Sequence, residues 1–226
     1  MYKYLLFDVD NTLLDFNLGE RCALESVLAH YPLSFTDEVY QRYHKINDDL
    51  WKLLEKGGIE KSRLRVVRFE TLFNEFGFAG AEIAKDISVE FMEEMTEQAQ
   101  IMDGAIEVLE ALYQKYELCI ITNASAQTQK KRLGKTPFHK YFKKYFISDD
   151  MGVHKPQREF FEKVVADIGS SNLSEYLVIG DSLTSDIKGA VDFGIDSCYF
   201  DRNCVGSGEL CPTYTINRLT DLLNIL

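Results

Sequence analysis

Hydrophobic and polar positions alternate in two different ways along this chain. Tyr4-Leu5-Leu6-Phe7 is an apolar run without polar alternation, and Asp8-Val9-Asp10-Asn11-Thr12-Leu13 follows it directly. Such a run reads as a strand buried on both faces, in the middle of a parallel sheet. From about Phe16 to Gln100 the apolar residues recur at helical spacing and no strand is predicted. One stripe is Cys22, Ala23, Val27 and Leu28. A second runs from Tyr40 through Tyr43, Ile46, Leu50 and Leu53 to Gly57-Gly58. A third joins Leu64, Val67, Phe69, Leu72, Phe73 and Phe76 and ends at Gly77, and a fourth joins Ile83, Ile87, Phe91 and Met95. Four amphipathic stripes of this length predict a small four-helix unit.

From Asp103 strands and helices alternate. A helix over Gly104 to Lys115 precedes the strand Leu118-Cys119-Ile120-Ile121-Thr122. A helix after Asn123 runs to about Leu133, and a short strand is predicted near Tyr145 to Ser148. Then come a helix after Pro156, the strand Tyr176 to Gly180, a helix from Thr184 to Phe193, a strand at Ser197 to Phe200 and a terminal helix near Leu219. This rhythm predicts an α/β fold with a parallel sheet. The expected division is a core of residues 1–16 and 100–226, interrupted by a helical cap over 17–99 that could exclude water and gate a substrate.

Composition narrows the classes of partner. The net charge of −11 opposes binding of a nucleic-acid polymer, which needs a basic face. A small phosphorylated substrate remains compatible, because a local cation can offset the global field. The five cysteines are scattered, lack metal-ligand spacing and point to a reducing, cytoplasmic compartment. No apolar run approaches membrane-spanning length, and the chain enters a strand without a leader, so neither membrane nor export is expected.

The candidate chemistry lies at strand ends, where ligands of open α/β sheets bind. Asp8 and Asp10 end the first strand with the spacing of one strand face. Thr122-Asn123 ends the second, ahead of a helix whose N-terminus suits a phosphate. Lys155-Pro156 follows the third, where a lysine can neutralise a phosphate. Asp181 ends the fourth, with Asp186 in the next helix start. Two unit charges 4 Å apart repel by about 4 kcal/mol at an effective dielectric of 20. Three such pairs among Asp8, Asp10 and Asp181 would rival the ~5–15 kcal/mol that holds a domain together, so the cluster calls for a cation. Carboxylate oxygens without His or Cys point to magnesium.

Asp8-Val9-Asp10-Asn11-Thr12-Leu13, Thr122-Asn123, Lys155-Pro156 and Gly180-Asp181-Ser182 through Asp186-Ile187-Lys188-Gly189-Ala190 together resemble the four ordered motifs of the haloacid dehalogenase (HAD) superfamily. The resemblance spans the chain and implies a Rossmann-like core with an inserted helical cap of the C1 type. It implies that Asp8 is the nucleophile of an aspartyl-phosphate mechanism, with Asp10 protonating the leaving alcohol and then deprotonating water. Magnesium would be held by the Asp8 carboxylate, the Asp10 main-chain carbonyl and Asp181, with Asp186 binding it either directly or through another ligand. Thr122, Asn123 and Lys155 would bind the phosphoryl oxygens.

Dehalogenases of the superfamily lack the second acid, so Asp10 argues for a phosphatase. Sugar mutases carry a Thr and a His soon after the first motif, and Asp15 to Glu20 has neither. Asn47-Asp48-Asp49-Leu50-Trp51, Gly57-Gly58-Ile59, Arg68-Phe69-Glu70, and Thr122-Asn123 with Gln129 and Arg132-Leu133 are similar to the bacterial pyrimidine nucleotidase branch. The departure is Ala124, where that branch commonly has Gly. The expectation is thus a phosphomonoesterase for nucleoside monophosphates, as monomer or homodimer. Phosphoglycolate or a sugar phosphate is the alternative substrate, and a non-catalytic regulatory protein on the same fold is the alternative of another class. Trp51 could stack on a base or belong to the cap core. Arg63, Arg65 and Arg68 read as a solvated helix face rather than as specificity residues.

Overall fold

The computed structural model describes residues 1–226. Six parallel strands form one sheet in the order β3-β2-β1-β4-β5-β6. They are β1 (Tyr4–Phe7), β2 (Glu117–Thr122), β3 (Phe142–Ile147), β4 (Tyr176–Gly180), β5 (Asp196–Phe200) and β6 (Tyr214–Ile216). The chain divides into two compact units, one of Met1–Phe16 with Ala99–Leu226 and one of Asn17–Gln98.

β1 lies between β2 and β4, and both of its faces are buried. Leu5 and Phe7 join Leu118, Ile120, Leu177 and Ile179 in a core closed by Val108, Leu109 and Leu112 of α5 (Ala105–Leu112). Leu6 faces the other way, with Cys119, Ile121 and Val178. Phe160, Phe161 and Val164 of α8 (Arg158–Ile168) and Ala190 and Phe193 of α9 (Lys188–Phe193) cover that side. This is why the strand reads as an unbroken apolar run. Register then aligns the chemistry. Phe7 is level with Ile120 and Ile179, so Asp8 lies one residue beyond that level while Thr122 and Asp181 lie two beyond it. Strand order reverses direction around β1, and the carboxyl edge there is the crevice where such sheets bind ligands.

The helical unit contains α1 (Phe16–Leu28, of which Phe16 belongs to the other unit), α2 (Asp37–Glu55), α3 (Lys61–Glu75) and α4 (Gly80–Glu97). Thr36 caps α2 by accepting from the Val39 amide at 3.2 Å. Tyr43, Phe69 and Phe91 form an aromatic triad with centroids 5.3–5.5 Å apart. Gly80 lets α4 approach α3 closely, because a Cβ there would stand 2.6 Å from the Glu70 carbonyl oxygen. A polar chain runs through this interior. Glu20 is fully buried and accepts from Asn47 at 2.8 Å, with His44 Nδ1 2.7 Å from its other oxygen. Arg68 donates to Asn47 at 3.2 Å and lies 4.6 Å over the Phe91 ring. Arg68 is therefore buried rather than part of a solvated face, since Asn47 and the aromatic rings replace its water. Arg63 does lie on the surface, paired with Glu70. Trp51 is partly exposed beneath the Lys61 ammonium.

Several elements differ from expectation. β3 begins three residues earlier than its apolar pattern, because Lys143 and Lys144 interrupt the apolar run on this edge strand. β6 has only three residues and follows a Gly- and Pro-containing loop, too short a segment to show periodicity. The helix after Asn123, α6 (Ala126–Gly134), starts two residues later than predicted. Its first amide donates to Asp149 of the single-turn α7 (Ser148–Met151). The predicted helix over 184–193 is a π turn at Leu183–Ile187 running into the short α9. The terminal helix is a 3-10 turn, Leu219–Asn224.

Candidate active site

The first loop is built to aim two carboxyl groups in different directions. After Asp8 the chain folds back, with the amides of Thr12, Leu13 and Leu14 all donating to the Val9 carbonyl. Asn11 takes a left-handed conformation at φ 62°, which Asn tolerates better than most residues. Asp8, Asp181 and Asp186 come together, each offering an oxygen within 4.8 Å of the others. The Asp10 carboxyl group does not join them. Its oxygens meet Arg132 Nη1 at 2.5 Å and Gln129 Nε2 at 3.1 Å. The third carboxylate of the cluster is therefore Asp186 rather than Asp10.

Lys155 bridges two members of this cluster, Asp8 and Asp186. Its ammonium is 2.7 Å from Asp8 Oδ1, 2.6 Å from Asp186 Oδ1 and 3.0 Å from the Ile121 carbonyl, so all three donors are satisfied. Burial opposes its charge, but Asp186 and Asp8 outweigh burial and hold the ammonium above the ordinary lysine value. Burial likewise pushes Asp8 up to about 7, with Lys155 opposing and Asp186 and Asp10 adding to the rise. Burial, Asp8 and Asp186 push Asp181 in the same direction. Three carboxylates against one ammonium leave two negative charges uncompensated when all are ionised. The donors are hard oxygens with no sulfur or imidazole among them. This set fits a small divalent cation, held by Asp8, Asp181 and Asp186.

The remaining residues brace these groups. The Asn123 side chain faces the Lys155 main chain. It donates to the Lys155 carbonyl at 2.8 Å and accepts from the Lys155 amide at 2.9 Å, fixing the segment that carries the lysine across the cis Lys155–Pro156 bond. The Thr122 hydroxyl accepts from Gln129 Nε2 at 3.2 Å and from the Ala124 amide at 3.3 Å. Both acceptor positions being used, its proton is directed elsewhere. Asp186 accepts from the Ser182 amide at 3.1 Å and presses against Gly180, where a Cβ would stand 2.3 Å from its carboxylate. Thr12 reaches Asp181 at 3.4 Å.

Gln129 and Arg132 are the site residues that strand-end reasoning did not assign. Their signal is spacing: three residues apart on α6, they turn polar side chains to the buried face of that helix.

The sequence matches the haloacid dehalogenase-like hydrolase family over residues 5–200. It is 36% identical over 227 residues to HAD-hydrolase YfnB of Bacillus subtilis, covering all of this chain and 95% of YfnB. Pyrimidine 5'-nucleotidase PynA of Streptococcus pneumoniae is 34% identical over the same lengths, and pyrimidine 5'-nucleotidase YjjG of Escherichia coli is 28% identical over 226 residues, or 98% of YjjG. The crystal structure of magnesium-bound YfnB superimposes with a TM-score of 0.92 at 35% identity, covering all of this chain and 98% of that one. Four strand-end motifs, their convergence on one sheet edge and these likenesses agree, and the chain belongs to the haloacid dehalogenase-like hydrolases.

Proposed function

We propose that the protein is a magnesium-dependent phosphomonoesterase acting through an aspartyl-phosphate on Asp8. The observation that carries this reading is the cluster of Asp8, Asp181 and Asp186, in which Lys155 ties Asp8 to Asp186. Lys155 engages Asp8 Oδ1, which leaves Oδ2 as the attacking atom. As the bond from Oδ2 to phosphorus forms, the ester P–O bond breaks and its electron pair passes to the leaving oxygen, which takes a proton from Asp10. A water then attacks phosphorus, gives a proton to Asp10 and releases inorganic phosphate with Asp8 restored. The Thr122 hydroxyl donates to a phosphoryl oxygen where charge develops. Asn123 holds the Lys155 main chain, and it would bind a phosphoryl oxygen from the same loop.

Asp8, Asp181 and Asp186, with the Asp10 carbonyl, would hold magnesium. Bound there, magnesium supplies the positive charge that keeps Asp8 ionised and lets an anionic ester approach three carboxylates.

Nucleoside 5'-monophosphates are the proposed substrates. The pyrimidine nucleotidases PynA and YjjG, alignable along the whole chain, support that choice. The test is phosphate release, with and without magnesium, from nucleotides, sugar phosphates and phosphoglycolate, compared by kcat/KM. Highest kcat/KM for a pyrimidine nucleotide is expected. Preference for a sugar phosphate or phosphoglycolate would reassign the substrate, and no turnover with any ester would leave a non-catalytic binding role.

A further inference from the structure

Asp10 is held by a clamp that the four motifs do not contain. Arg132 is buried at 2% exposure and Gln129 is fully buried, both on α6. Arg132 Nη1 donates to Asp10 Oδ1 and also, at 3.0 Å, to Gln129 Oε1. That second bond fixes which end of the amide is which: the oxygen faces the guanidinium, so the nitrogen must face outward. Gln129 Nε2 accordingly donates both to Asp10 Oδ2 and to Thr122 Oγ1. Both oxygens of Asp10 are thereby fixed in one plane, and the same amide reaches the hydroxyl placed to meet the phosphoryl group.

We infer that Arg132 and Gln129 are positioning residues that orient Asp10 towards the leaving oxygen and couple it to Thr122. The inference rests on the phosphomonoesterase reading above. Each bonds to Asp10 and acts through it. The proton that Asp10 delivers matters most when the leaving oxygen is strongly basic. It matters little when the departing anion is already stable, as with 4-nitrophenolate. A residue that merely supports the fold would affect both kinds of ester alike.

The experiment is a series of phosphate monoesters from 4-nitrophenyl through phenyl to alkyl, assayed with magnesium for the wild type, Arg132→Met, Arg132→Lys and Gln129→Leu. The quantity read is kcat/KM, which reports the step that expels the leaving group. Arg132→Met is expected to lose about 100-fold on the alkyl ester, the scale of general acid catalysis, and a few-fold at most on 4-nitrophenyl phosphate. Arg132→Lys should recover part of the loss, since lysine keeps the cation without the planar fork. In an Asp10→Asn background Arg132→Met should add no further leaving-group dependence. Equal losses across the series, or none, would overturn the inference. Should Arg132→Met fail to fold, Gln129→Leu decides: a steeper leaving-group dependence supports the clamp, and an unchanged one refutes it. A wild type that hydrolyses no ester defeats the phosphomonoesterase reading and this inference with it. A wild type that turns over while Arg132→Met keeps its slope defeats only the inference.

Discussion

Lys155 Nζ stands 2.6 Å from Asp186 Oδ1, and both side chains are about 1% exposed. A buried pair of this kind gains little over an apolar pair, but removing one partner strands a charge. Lys155→Met would strand Asp8 and Asp186 together. In metal-free protein the expected loss is about 3–5 kcal/mol of unfolding free energy. Urea denaturation checks this, and a change below 1 kcal/mol would mean that the carboxylates are not held by the lysine.

Asp8, whose ordinary value is 3.8, is pushed up to about 7 chiefly by burial. Between those values the folded chain keeps a proton that the unfolded chain has released. The unfolded state then binds fewer protons, so stability falls as pH rises from about 4 to about 7. Denaturation in EDTA at several pH values should show this decline. Asp8→Asn, which cannot ionise, should flatten it, leaving the part due to Asp181. A slope indifferent to the substitution would contradict the assignment.

Gly180 has no room for a methyl group, because Asp186 Oδ2 would lie 2.3 Å from the added Cβ. Gly180→Ala should displace the Asp186 carboxylate at a cost of about 1–3 kcal/mol, typical of overpacking. It should also weaken magnesium binding measured by calorimetry. Wild-type affinity in this variant would place Asp186 outside the metal-holding set.

Asn47 links two buried charges within the helical unit, donating to Glu20 and accepting from Arg68. Asn47→Leu fills similar space but leaves both without that partner. The expected destabilisation is about 2–4 kcal/mol, read from the urea midpoint at constant m-value. A neutral effect would show that Glu20 and Arg68 find other partners.

What the sequence made legible follows from chain-local physics. Asp8 and Asp181 could be read because each ends an apolar run, and a buried parallel strand announces its own carboxyl end. Lys155 could be read as a cation near phosphate chemistry. Its three bonds to Asp8, Asp186 and Ile121 depend on how β1, β2 and the π turn converge, which no local pattern encodes. The same applies to Asn123, whose polar type suggested a phosphate ligand while its amide braces Lys155. Arg132 and Arg68 are long charged side chains that normally remain at the surface. Partners distant in sequence, Asp10 for Arg132 and Asn47 with the Phe91 ring for Arg68, reverse that expectation. β6 was hidden by its three-residue length.

The covalent step is tested most directly by acid-quenching a single turnover with magnesium and a reactive phosphate ester, then mapping phosphorylated peptides by mass spectrometry. One phosphoryl group is expected on the peptide carrying Asp8, absent from Asp8→Asn, which should also lose turnover. Near-wild-type turnover by Asp8→Asn, or a phosphoryl group on another residue, would contradict that step.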